Sequence, residues 1–135
     1  MSALQVDGLY VEDGVEPVAA AGEGSRGYLR FYADGTVVSA AVTATATATQ
    51  VWQWLRREDE ELDRGTVMLD GGAIRFETRS RYPDEVIIDH VGTWTPTELA
   101  LTTTSRWNGH VAQRRFTFVA MQPDVARPAK RRAER

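Results

Sequence analysis

Hydrophobic and polar residues alternate along most of the chain, in short runs set off by turn-forming dipeptides. Eight runs read as β-strands: residues 9–11, 27–32, 36–42, 65–70, 73–81, 85–94, 98–107 and 110–119. Asp34-Gly35, Gly71-Gly72 and Asn108-Gly109 supply the positive φ that tight hairpins need, Pro96-Thr97 marks a further reversal, and Tyr82-Pro83-Asp84 reads as a three-residue loop. One stretch changes period: Ala48, Val51, Trp54 and Leu55 fall at helical spacing behind Thr47 and Gln50, which stand as a capping box. The pattern therefore predicts an α-helix over residues 48–58, with Trp52 and Trp54 packing as a lid on the end of the fold or, alternatively, forming a patch for a protein partner. Eight hairpin-linked strands can close on themselves and leave no sheet edge. The predicted fold is all-β: an eight-stranded antiparallel up-and-down barrel with one short helix between strands three and four.

A two-residue hairpin loop pairs the residues that flank it and puts each pair on one face, so the turns also fix which side chains point inward. Asn108-Gly109 as such a loop pairs Trp107 with His110, Thr103 with Arg114, Leu101 with Phe116 and Leu99 with Phe118. Across Pro96-Thr97, Trp94 pairs with Leu99, His90 with Thr103 and Ile88 with Ser105. The next two turns pair Phe76 with His90, Thr78 with Ile88, Val67 with Phe76 and Leu69 with Ile74. Four strands thus give one consistent interior, in which Asp89 faces out beside Arg106 and His90 faces in. A row across it reads Val67, Phe76, His90, Thr103, Arg114.

The chemistry of that row is what composition leaves open. With no cysteine in 135 residues, thiolate catalysis and Cys-based metal sites are excluded, and two histidines are too few for a His-rich centre. No cofactor is expected. No Ser/His/Asp, paired-carboxylate or metal-ligand spacing supports hydrolysis. The length fits a single domain, taken as residues 1–120, followed by a basic tail over 121–135 that reads as disordered. The last thirteen residues hold five basic and two acidic groups against eleven and seventeen in the rest, and an acidic body argues against a nucleic-acid face. Fifteen of the sixteen basic residues are arginine, a bias that points to a GC-rich bacterial genome. Neither a signal peptide nor a membrane-length apolar run is visible, so a cytoplasmic location is expected.

A buried arginine keeps its proton, so Arg114 requires an acidic partner, water or an anionic ligand. No Asp or Glu lies on the inward face of the four registered strands. Glu12, Glu16 or an acidic residue of the helix is what could reach it from elsewhere. A lone inward histidine is most often a hydrogen-bonded core residue, but beside Arg114 and the Thr103 hydroxyl it marks a polar spot in an apolar pocket.

Over about residues 7–120 this arrangement resembles the calycin group, the lipocalins and fatty-acid-binding proteins. Arg114-x-Phe116 on the last strand is similar to the inward Arg-x-Tyr of fatty-acid-binding proteins, with phenylalanine in the tyrosine's place. Asp7-Gly8-Leu9-Tyr10 stands where lipocalins carry Gly-x-Trp. The resemblance implies a barrel that holds an apolar ligand. The expected function is binding of a small, mostly apolar or amphipathic molecule with an anionic or carbonyl group, lined by Leu69, Phe76, Ile88, His90, Trp94, Leu101, Thr103, Trp107, Arg114 and Phe116. Two alternatives stand beside it. One is a cyclase- or isomerase-type enzyme with His90 as proton carrier and Arg114 as oxyanion stabiliser. The other is a filled-core module that binds a protein through the helix or the tail.

Overall fold

The alternating runs fold into β1 (Gly8–Glu12), β2 (Ser25–Phe31), β3 (Thr36–Thr43), β4 (Asp63–Thr66), β5 (Met68–Asp70), β6 (Ala73–Ser80), β7 (Val86–Trp94), β8 (Glu98–Ser105) and β9 (Val111–Ala120), with α1 (Ala48–Trp54) after β3. The computed structural model describes residues 4–13, 25–43, 46–56, 62–80 and 85–121. The predicted 82–84 loop, the end of the predicted helix, Glu16 and the basic tail lie outside the described residues. β4 and β5 are two halves of one bent strand interrupted at Val67, whose N–H donates to Gly35 O at 2.9 Å. Both halves pair with β6 in one register, Arg64 opposite Arg79 and Leu69 opposite Ile74. Every strand lies antiparallel beside its neighbours in sequence, and β9 returns to β1 with Glu12 opposite Phe116. The result is the predicted closed, eight-stranded up-and-down barrel.

The seam between β4 and β6 closes because Gly65 has no side chain: a Cβ there would stand 1.7 Å from Glu77 O. One half of the interior is packed solid. Tyr10, Leu29, Phe31, Val37, Ile74, Phe76, Leu99, Leu101 and Phe116 form its core, with Tyr10 edge-on to Phe31 at 5.4 Å and Phe31 edge-on to Phe76 at 5.9 Å. Each such side chain, once buried, contributes roughly 1.5–3 kcal/mol. Three hydrogen bonds fasten that end: Tyr10 Oη to Pro96 O at 2.7 Å, Gln5 Nε2 to the same carbonyl at 3.0 Å, and Gln5 N to Tyr10 Oη at 3.0 Å.

Three of the predicted registers hold. Trp94 lies opposite Leu99, His90 opposite Thr103, Phe76 opposite His90, and Leu69 opposite Ile74. The last hairpin differs. Leu99 pairs with Phe116, Leu101 with Arg114 and Thr103 with Ala112, two residues away from the predicted partners. The loop has four residues instead of two: Ser105 N–H donates to His110 O at 2.9 Å and Gly109 N–H to Ser105 O at 2.8 Å, with φ of +73° at Gly109 alone. Arg106, the first loop residue, is held against β7. Its N–H donates to Ile87 O at 2.9 Å, and its guanidinium bridges Asp89 and Glu77 at 2.8 and 2.9 Å. A slip of two preserves the faces, so Leu99, Leu101 and Thr103 still point inward. Asp89 lies outside beside Arg106, as the pattern predicts, and the Arg106 hydrogen bond lowers its pKa.

The helix corrects a second expectation. Thr47 caps it through the predicted box, accepting from Gln50 N–H at 3.1 Å while Gln50 Oε1 accepts from Thr47 N–H at 2.9 Å. However, α1 stops at Trp54 and covers the barrel's outer wall instead of its end. Val51, Trp52 and Leu55 are buried against Leu9, Tyr28 and Val38, the outward side chains of β1, β2 and β3. The Arg30 guanidinium lies 3.8 Å over the Trp52 ring and donates to Leu55 O at 3.1 Å, clamping the end of the helix to β2. Two outward apolar surfaces therefore satisfy each other. Among the described residues no helix is long and apolar enough to cross a membrane.

Candidate functional site

The interior beyond the packed half holds a cavity of about 190 Å³. It lies where β1, β3, β6 and β8 end and β2, β4, β7 and β9 begin. Its walls combine Leu29, Ile88 and Phe116 with Glu12, Asp63, Thr78, His90, Thr103 and Arg114.

His90 reaches the cavity because Phe76 holds it there: the two rings are paired across β6 and β7 and stack at 4.4 Å, 11° from parallel. Thr78 Oγ1 is 3.0 Å from His90 Nε2. Either group can be the donor: the hydroxyl donates when the ring proton is on Nδ1 and accepts when it is on Nε2. Nδ1 is itself buried without a partner among the described residues. Burial, and secondarily the Arg114 charge, push the His90 pKa down to about 4 against a weaker upward pull from Asp89. At neutral pH the ring is an uncharged hydrogen-bonding group.

Arg114 is not an unpaired cation. Its Nη1 donates to Glu12 Oε2 at 2.7 Å, and Glu12 Oε1 accepts from Gly27 N–H at 2.8 Å. Glu12 is only 8% exposed, whereas the Arg114 side chain is 41% exposed. Glycine at position 27 suits this contact, since a Cβ would lie 3.0 Å from Glu12 Oε1, closer than most side chains approach. On the opposite wall Asp63 is half-buried, and desolvation raises its pKa. Among the described residues no group of three or more His, Asp or Glu side chains is arranged to hold a metal ion.

Of the ten residues expected to line a site, Ile88, His90, Thr103, Arg114 and Phe116 meet at the cavity. Phe76 and Leu101 are buried in the packed half. Trp94 sits half-buried at the fastened end, its indole N–H donating to Gly71 O at 2.8 Å. Leu69 keeps its predicted partner yet is 41% exposed at that same end, where the barrel interior runs out. Trp107, at 77% exposed, leaves the wall because the longer loop carries it past the end of β8. Sequence reasoning left Glu12 as one of several candidate partners and missed Thr78 and Asp63 as wall residues. The available signal for Glu12 was alternation: it is the next inward position after Tyr10.

The fold and cavity together define a closed, antiparallel barrel with a small, half-polar interior space at one end. No family model matches the chain, and no curated protein does. Among solved structures it is similar to the REP1-NXSQ fatty acid transporter, at 12% identity and a TM-score of 0.40, over 85% of this chain and 96% of that one. What the cavity can hold follows from its own walls.

Proposed function

We propose that the barrel binds a small, mostly apolar molecule that carries one anionic or carbonyl group. Its polar end lies against His90, Thr103 and Arg114, and its apolar part against Leu29, Ile88 and Phe116. The observation that carries this reading is the void beside Arg114, with polar groups and apolar side chains sharing one wall. A filled-core interaction module would have no such space. His90, neutral down to about pH 4, serves as a hydrogen-bonding partner and is a poor base at neutrality.

Size narrows the ligand. An apolar cavity of about 150 Å³ holds a benzene ring, so 190 Å³ suits one ring with a short polar substituent. Acetophenone is a direct probe. At ten times its Kd it should stabilise the protein by about 1.4 kcal/mol, and Ser39→Phe, which places a ring in the cavity, should abolish the shift. Equal stabilisation of the variant would put the binding elsewhere. Native mass spectrometry of protein purified from its own host should show a retained molecule of this size.

A further inference from the structure

We propose that Glu12 sets the charge selectivity of the cavity: by pairing with Arg114 it reserves the site for uncharged hydrogen-bond acceptors and turns carboxylates away. The inference deepens the binding reading above and rests on it.

Glu12 is fixed in place. Both of its oxygens are engaged, at 2.7 Å by Arg114 and at 2.8 Å by Gly27 N–H, and the residue is 8% exposed. Withdrawing it would strand a buried charge, so a ligand cannot displace it cheaply. Position 27 also fits it closely, since a Cβ there would stand 3.0 Å from Oε1.

Charge is then counted over the described wall. Arg114 is its guanidinium, Glu12 and Asp63 are its carboxyl groups, and His90 is uncharged at neutral pH. An incoming carboxylate meets an ion pair with no net charge and one further carboxyl group, Asp63. An uncharged acceptor meets no such opposition. Arg114 carries five N–H donors, and those not directed at Glu12 can serve a carbonyl oxygen from the exposed part of the side chain. Glu12 thus occupies the position that a ligand carboxylate would take beside a free arginine.

Benzamide and benzoate are nearly isosteric and differ in charge, so titrating both into the intact chain separates size from charge. The wild type should bind benzamide at least about tenfold tighter than benzoate. Glu12→Gln, which keeps the shape and frees the Arg114 charge, should strengthen benzoate binding by about tenfold or more while changing benzamide by less than about threefold. Should the variant be too unstable to isolate, refolding it with either probe reads the same property: benzoate should restore the fold by supplying the missing charge, and benzamide should not. Equal wild-type affinity for the two probes, or no gain or rescue by benzoate, would overturn the role of Glu12 while leaving the cavity a binding site. Absence of binding by both probes in both proteins would overturn the binding reading and this one with it.

Discussion

At the scale of single residues, Arg114 shows how one contact sets the sign of a substitution. An unpaired buried arginine would be improved by a leucine. Paired with Glu12, it is instead what allows a carboxylate to sit at 8% exposure inside the barrel. Arg114→Leu should therefore lower the unfolding free energy, by about 2 kcal/mol once the partial solvation of the guanidinium is allowed for; denaturant titration reads it, and unchanged or raised stability would show the pair to be dispensable. His90 gives a pH signature. Its folded pKa of about 4 lies below the ordinary 6.5, so between these values the unfolded chain binds a proton that the folded chain refuses. Stability from this group is full above about pH 6.5 and is lost as pH falls to about 4, up to roughly 3 kcal/mol. His90→Phe should flatten that part of the pH profile, at the expense of leaving the Thr78 hydroxyl without its partner. The inward position of His90 was legible because tight turns flank its strand on either side in the ladder. Glu12 was less legible because residues 13–24 separate β1 from β2, a longer connection than a two-residue hairpin loop that would fix the register.

At the scale of elements, the capping box was legible to the residue, and the surface the helix would cover was not. Thr47 and Gln50 satisfy each other's backbone N–H groups at the helix start, a purely local matter. Which wall the helix covers depends on the outward residues Leu9, Tyr28 and Val38, which come from three strands whose faces the turn pattern did not assign. Thr47→Ala should cost about 1 kcal/mol, measured as a lower melting temperature with the barrel otherwise intact; no change would mean that packing of Trp52 and Leu55 alone holds the helix. The β8–β9 hairpin teaches a different lesson. Asn108-Gly109 correctly announced a turn, but only Gly109 uses the positive φ, while the Asn108 side chain accepts from His110 N–H at 2.9 Å. The loop runs over four residues, and its first, Arg106, bonds outward to Asp89 on β7 and Glu77 on β6. The resulting shift of two residues left the inside–outside assignments of β8 intact and moved Trp107 and His110, at the hairpin end, out to solvent.

For the whole molecule, closure was legible from strand count and alternation, and it rests on a narrow contact. β4 and β6 meet at the single registered pair Arg64–Arg79, with Gly65 allowing the backbones to touch. Gly65→Ala should force the seam apart, costing about 1–3 kcal/mol and speeding amide exchange in β4 and β6 ahead of β8 and β9; uniform exchange across the barrel would mean that the strain is absorbed elsewhere. The size of the cavity was not legible, because alternation reports which side chains face inward and not whether they meet. Tyr10, Phe31 and Phe76 interlock to fill one half, and the smaller polar side chains of the other half do not.

That uneven filling bears on how such a protein can change over time. The fastened end, with Tyr10 and Gln5 tied to Pro96, supplies cohesion without touching the space at Glu12, His90 and Arg114. A lineage carrying this barrel can therefore vary uncharged wall residues such as Ser39 or Ile88 while the packed half continues to hold the fold together.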